Sequence, residues 1–179
     1  MLEQLKSVVA SNELIEIYTN EGDLSKFGVA RVLKVSDEWV VLANITPQGM
    51  YDGFCLIRTN DVLRIGFKSK HIEKINKLYT VKKQKHTQYN VSQEILLFGF
   101  LEFAQGNNFI VSVLLLDSEY FDVQGYIKKI EKDLLTIEIV DNYGEIDGET
   151  QIKLEDINRM TCDDEDDYCL KILSSNTLI

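Results

Sequence analysis

Histidine is the side-chain type best suited to acid–base catalysis at neutral pH, and the sequence contains two, His71 and His86. His71 opens a polar helical pattern and His86 follows a group of lysines, so we expect both to be solvated rather than catalytic. No serine or cysteine stands in a nucleophile elbow, and Gly66 and Gly99 are isolated instead of forming a phosphate-binding loop. The sequence therefore predicts a protein that is not an enzyme and that uses no cofactor.

The 3 cysteines, Cys55, Cys162 and Cys169, match no common metal-ligand spacing. An odd number of cysteines at irregular spacing is typical of reduced thiols in a cytoplasmic protein. The N-terminal residues lack a signal-peptide pattern. The longest dense apolar stretch, residues 95–103, is far shorter than the roughly 20 residues that span a bilayer. We therefore expect a cytoplasmic protein without membrane association.

An unbroken acidic run is the strongest local charge feature, and it consists of Asp163, Asp164, Glu165, Asp166 and Asp167. Such a run suits the first turn of a helix, where the dipole favours each well-placed acid by about 0.3–1 kcal/mol and Asp163 or Asp164 would be the N-cap. It could also form an acidic docking patch for a protein partner. A calcium loop needs alternating ligands around a glycine, and that spacing is missing. The helix start is favoured, with protein interaction kept as the alternative.

Charge is distributed unevenly along the chain, whose net charge is −10. Residues 1–80 carry 10 basic and 10 acidic side chains, residues 81–92 carry 3 lysines and no acid, and residues 93–179 carry 6 basic and 19 acidic side chains. Because nucleic-acid affinity depends largely on cations that neutralise phosphates, the acidic part would repel RNA. The first part together with residues 81–92 could attract RNA weakly, through Lys82, Lys83 and Lys85 and with Tyr51 as a candidate stacking residue.

Two segments of the chain repeat the same spacing of residues, which indicates a tandem duplication. The repeat predicts copy one at residues 1–80, a basic linker at 81–92 and copy two at 93–179. At a shift of about 95 residues the matched positions are Asp52-Gly53 with Asp147-Gly148, Ile57 with Ile152, Asp61 with Asp156, Arg64 with Arg159 and Leu78 with Leu173. Gly28 is matched with Gly125 at a wider shift of 97.

Each copy contains the same sequence of elements. Apolar residues at helical spacing open it, at residues 2–9 and 95–104. Alternating strands follow at 14–18, 28–35 and 39–45, and again at 109–114, 125–130 and 134–140. Asp-Gly predicts a tight turn, after which two short strands at 54–58 and 62–67, or 150–154 and 157–161, precede a final helix. Short strands with unprotected edges favour closure into a small barrel.

These residues resemble the Sm-like family. The resemblance covers most of each copy and includes Gly22, Gly28 and Asp37 in the first motif and Leu56 to Val62 in the second. It implies a helix followed by a five-stranded, SH3-like barrel in each copy. It also implies RNA contacts by Arg58 and Asn60, although Val40 and Val41 stand where the family's base-reading asparagine belongs, and the second copy has Lys153 at the place of the arginine.

We therefore expect a mostly β fold with short helices, arranged as two tandem Sm-like barrels. The leading functional interpretation is a non-catalytic protein-interaction or scaffold protein. It would bind a protein partner or itself, and a homodimer through the apolar helix at 95–104 is one form of self-association. The alternative is an RNA-binding regulator that uses Arg58, Asn60, Tyr51 and the three lysines of the linker.

Overall fold

The computed structural model describes residues 1–20, 22–23, 25–91 and 94–174. The predicted boundary between linker and second copy, at residues 92 and 93, lies outside the described residues. Contacts divide the chain into two compact units. Unit 1 contains Met1–Asn90 and unit 2 contains Leu97–Ile179, and the short stretch between them is shared. The predicted linker residues 82–90 thus belong to unit 1.

The described residues form the same order of elements in both units. In unit 1 the order is α1 (Leu2–Ser11), β1 (Leu14–Tyr18), β2 (Gly28–Val35), β3 (Trp39–Ile45), β4 (Tyr51–Arg58), β5 (Arg64–Gly66) and α2 (Lys70–Val81). Unit 2 contains α3 (Leu96–Gly106), β6 (Ile110–Leu115), β7 (Val123–Ile130), β8 (Leu134–Val140), β9 (Ile146–Lys153), β10 (Ile157–Cys162) and α4 (Glu165–Ser174). A short 3-10 turn precedes the last strand of each unit, at Thr59–Asp61 and Leu154–Asp156.

All strand pairs described within the units are antiparallel. The order is β5-β1-β2-β3-β4 in unit 1 and β10-β6-β7-β8-β9 in unit 2. Among the strand pairs of the described residues, none closes either set of five strands into a ring. The expected mostly β fold with short helices is confirmed. Among the described residues no helix is both long enough and apolar enough to cross a membrane.

The turn between the third and fourth strands has the same geometry in both units. Gly49 and Gly144 have φ of 71° and 80°, a left-handed conformation that glycine adopts without a steric penalty. A Cβ at Gly49 would lie 2.5 Å from Leu78 Cβ, and one at Gly144 would lie 2.6 Å from Leu173 Cβ. Each turn therefore packs tightly against the end of its unit's last helix, and the equivalent positions are separated by 95 residues.

The predicted equivalence of Gly28 and Gly125 is wrong. Register shifts after Val32 in β2 and after Ile127 in β7 show that the separation of 95 also holds in this strand, so that Ala30 corresponds to Gly125. A Cβ at Gly125 would lie 2.0 Å from the carbonyl oxygen of Glu138, whereas one at Gly28 would have only an ordinary contact of 3.7 Å. Only Gly125 is required by a close approach of backbone.

Apolar side chains on both faces of the strands make two cores in unit 1. One lies against α1, and the other lies under α2, where Ile72 and Ile75 are buried with Leu14 and Ile45. In unit 2, Ile110, Val140 and Leu170 form the counterpart of the second core. Residues at helical spacing on α2 and α4 thus fix each last helix beside the turn that precedes β4 or β9.

Candidate functional site

The predicted RNA contact Arg58 is engaged with its own unit at the end of β4. Its guanidinium pairs with the Glu38 carboxylate and lies 4.3 Å from the centre of the Trp39 ring. The neighbouring Thr59 N–H donates to the Glu38 carbonyl at 2.8 Å, which joins the two turns. Asn60 is exposed in the 3-10 turn. Arg58 therefore stabilises the junction of two turns, and its side chain is only partly accessible to a ligand.

Tyr51 and the three linker lysines lie at the opposite end of β4. Lys82 Nζ donates to the Gln48 carbonyl at 2.8 Å, and Lys83 and Lys85 are exposed. Tyr51 begins β4 and is half-buried, with its hydroxyl oxygen buried and unpaired. Seven steps along a strand cover roughly 23 Å. The structure therefore separates the predicted RNA residues into two groups, one with Arg58 and Asn60 and the other with Tyr51 and the lysines.

His86 forms a buried contact that the sequence did not reveal. Its Nε2–H donates to the Asn44 carbonyl at 2.8 Å, so its Nδ1 accepts from the Tyr79 hydroxyl at 2.9 Å. The ring lies 4.5 Å from that of Tyr51 and 5.5 Å from that of Phe54. Burial lowers the pKa of His86 to about 4, so the ring is neutral at physiological pH. The expectation of a solvated His86 is wrong.

The same segment contacts the first residues of β4 through two further side chains. Gln84 Oε1 accepts from the Tyr51 N–H at 3.0 Å, and Tyr89 packs against Phe54 with ring centres 6.2 Å apart. We call residues 84–89 the strap, because they follow α2 and cover the start of β4. The segment around His86 is polar and has no apolar periodicity, so the sequence does not predict its burial. The ring is buried because it packs against aromatic residues that are distant in the sequence.

The acidic run begins α4, as expected, with Asp164 at its N-cap. Asp164 Oδ1 accepts from the Asp167 N–H at 2.9 Å, as Ser69 Oγ accepts from the Ile72 N–H in α2. Asp163 and Asp164 are half-buried, and Glu165 and Asp166 are exposed. The run is therefore not a uniform acidic surface, because its last member, Asp167, is only 2% exposed.

Asp167 belongs to a buried polar cluster. Its Oδ1 accepts from the Gln124 side-chain amide at 3.2 Å and from the Ser112 hydroxyl at 3.4 Å, while its Oδ2 is buried without a partner. Burial, together with the charge of Asp164, raises the pKa of Asp167 to about 7. Burial also raises the pKa of Asp163, to about 6. These two carboxyl groups therefore gain or lose a proton close to neutral pH.

The strand β9 is the most exposed strand of unit 2. It pairs with β8 on one side and stands at the end of the strand order. Ile146 at its start is 54% exposed, and the exposed acids Glu145, Asp147 and Glu149 surround it. An edge strand leaves backbone N–H and C=O groups available to another chain. This edge combines open hydrogen-bonding groups with an apolar residue and negative charge.

Groups that could hold a metal ion, with three or more histidine, cysteine or acidic side chains, are absent from the described ranges. Cys55 and Cys162 are buried cysteines outside any disulfide of the described residues, and Cys169 is an exposed cysteine on α4. Comparison of the chain with protein-family models, with curated proteins and with solved structures gives no match.

Proposed function

We propose that the chain is a non-catalytic cytoplasmic protein-interaction or scaffold protein, built from two duplicated Sm-like barrels. A helix followed by five antiparallel strands in each unit is the order of elements that the Sm-like resemblance implies. The equivalent bulges, glycine turns and helix caps support descent of both units from one module. Fold alone does not assign a partner, so the interaction is argued from the surface.

The open edge of β9 is the observation that carries the proposal. Six of its eight residues are exposed, namely Ile146, Asp147, Gly148, Glu149, Gln151 and Lys153. An extended peptide can add a strand to such an edge, with main-chain hydrogen bonds supplying affinity and side-chain pockets supplying specificity. The acidic surroundings of the edge favour a partner with complementary positive charge and slow the approach of RNA.

Site-specific photo-crosslinking tests this proposal. A photoreactive amino acid replaces Gln151 on β9 in the full chain, and a control chain carries it at the exposed Lys74 of α2. In nuclease-treated cell extract we expect a discrete protein adduct, or a dimer of this chain, from position 151 and not from position 74. Equal labelling at both positions, or none at position 151, would contradict an interaction through this edge.

RNA binding is the second candidate function, and the grouping of Tyr51 with Lys82, Lys83 and Lys85 favours it. In this alternative the lysines supply phosphate contacts, and Arg58 contributes little because it is engaged with Glu38 and Trp39. Fluorescence anisotropy with a short uridine-rich RNA at low salt distinguishes the candidates. Binding that is lost in Lys83→Glu/Lys85→Glu and kept in Arg58→Ala would support RNA recognition. No binding by the wild-type chain would eliminate it.

A further inference from the structure

The strap of unit 1 occupies a place whose counterpart in unit 2 can be located residue by residue. The equivalence of Gly49 with Gly144 fixes the separation at 95, and the register shifts in β3 and β8 agree with it. The two backbone groups that bind the strap, the Asn44 carbonyl and the Tyr51 N–H, therefore correspond to those of Ile139 and Ile146. Unit 2 thus repeats the backbone frame on which the strap lies.

The side chains on this frame differ between the units in a way that changes what it can bind. Phe54, which packs against His86 and is 0% exposed, corresponds to Glu149, which is exposed. Tyr51, half-buried under the strap, corresponds to Ile146, which is 54% exposed. Tyr79, the hydrogen-bond donor to His86, corresponds to the smaller Ser174. We call the surface formed by these three residues the seat. In unit 1 the seat is apolar, neutral and covered by the strap, whereas in unit 2 it is exposed and carries the Glu149 carboxylate.

A groove adjoins this seat in unit 2. It lies between the end of α3, the strands β7 and β8, and α4, and its lining includes Asn108, Tyr126, Lys128, Glu138, Ile146 and Lys171. Lys128 is paired with Glu138 at 2.8 Å and Lys171 Nζ donates to the Asn108 carbonyl, so both lysines are engaged within the unit. Lys128 also interacts electrostatically with Glu149. The three exposed acids Glu145, Asp147 and Glu149 outnumber this lysine and leave the rim negatively charged.

We propose that this seat, which we call the β9 seat, binds an extended basic segment of a partner protein in the way that unit 1 holds its own strap. The inference rests on the proposed protein-interaction function and names the site and the partner's chemistry. The strap supplies the template, because it is an acid-free segment that follows Lys82 and Lys83 and contains Lys85. It binds through the Gln84 side-chain amide and the rings of His86 and Tyr89. In the β9 seat a lysine or arginine of the partner replaces His86 above Glu149, and an apolar side chain covers Ile146.

Panning of a phage-displayed library of random nonapeptides against the full chain tests the β9 seat. We expect the wild-type chain to enrich peptides that contain at least two lysines or arginines and one apolar or aromatic residue. The variant Glu149→Lys should lose this enrichment, and the best peptide should bind it at least tenfold more weakly. The matched control Glu165→Lys changes an exposed acid at the start of α4 by the same charge and should bind like wild type.

Backbone NMR of the labelled full chain with the best peptide locates the contact. Shifts concentrated at Ile139, Ile146 and Glu149 would support the proposal. Enrichment of no basic peptide, or equal affinity for wild type and Glu149→Lys, would overturn it, as would shifts confined to Asn44 and Tyr51, which would mean that the peptide merely displaces the strap. A protein adduct at position 151 that persists in Glu149→Lys would leave the proposed function intact and eliminate this seat.

Discussion

The Nε2–H of His86 donates to the carbonyl oxygen of Asn44 at 2.8 Å, which fastens the strap to the bulge of β3. Because the pKa of His86 is about 4 in the folded chain and near 6.5 when solvated, the unfolded or released state binds the proton first on acidification. The strap is therefore held at neutral pH, and its contribution to stability is lost as the pH falls from about 6.5 to about 4.

Tyr79→Phe tests this account of His86. The substitution removes the hydroxyl that donates to Nδ1 and keeps the ring, so the neutral imidazole loses a stabilising partner. We expect the pKa of His86 to rise above about 4, while burial, the larger cause of its lowering, remains. Titration of the His86 ring by NMR measures the change. Thr80→Val removes a neighbouring exposed hydroxyl and is the control. An unchanged His86 pKa in Tyr79→Phe would refute the role of this hydrogen bond.

Asp167 gives unit 2 the opposite dependence on pH. Its raised pKa means that the folded state keeps a proton that the unfolded state releases, so stability falls as the pH rises from about 4 to about 7. In Asp167→Asn the amide replaces the protonated carboxyl, and we expect stability to be higher than wild type by roughly 1–2 kcal/mol at pH 8 and similar at pH 4. Urea unfolding at both pH values measures this, with the exposed Asp166→Asn as control. A variant less stable than wild type at pH 8 would mean that the carboxylate itself is needed.

Arg58→Ala should destabilise unit 1 modestly. It removes the stacking on Trp39, worth about 0.5–1 kcal/mol, and a surface ion pair with Glu38 worth less than about 1 kcal/mol. We expect a loss of about 1 kcal/mol in the free energy of unfolding. The matched substitution in unit 2 is Lys153→Ala, which breaks an exposed pair with Glu155 and should cost almost nothing. Equal losses at the two positions would show that the contact with Trp39 is not stabilising.

Gly125→Ala should be far more damaging than Gly28→Ala. The new Cβ would collide with the Glu138 backbone in the first case and make an ordinary contact in the second. We expect Gly125→Ala to lose at least about 3 kcal/mol or to leave unit 2 unfolded, and Gly28→Ala to be neutral or slightly stabilising. Ala30→Gly, at the true counterpart of Gly125, should fold with a loss of about 1 kcal/mol. Circular dichroism during thermal unfolding compares the three, and similar effects of both alanine substitutions would contradict the corrected equivalence.

Much of the fold follows from alternation of apolar residues and from turn residues. The predicted bounds of β2, β3 and β8 agree with the structure, because clear polar turns bracket each apolar strand. The starts of β4 and β9 were missed. Asp52-Gly53 and Asp147-Gly148 were predicted to form the turn, whereas Gly53 and Gly148 adopt positive φ inside the strands, and the turn lies earlier, at Gly49 and Gly144.

The candidate site was less predictable than the fold. The helix-start interpretation of the acidic run is confirmed, since capping chemistry is local and visible in sequence. The burial of Asp167 and His86 depends on partners more than 40 residues away, such as Ser112 and Asn44, so no local pattern announces it. Phe54 and Glu149 occupy equivalent positions, but the sequence does not show that the strap covers Phe54. The functional importance of this difference could therefore not be predicted.

The acids at and just before the start of β9 also govern how the chain behaves at high concentration. Pairing two β9 edges from separate copies would bring Glu145, Asp147 and Glu149 of each copy together, and like charges across a strand pair repel. The charged edge therefore acts as a safeguard against indiscriminate strand addition and fibre growth. Salt screens the repulsion between these carboxylates and weakens the safeguard, so storage at low ionic strength favours a dispersed sample.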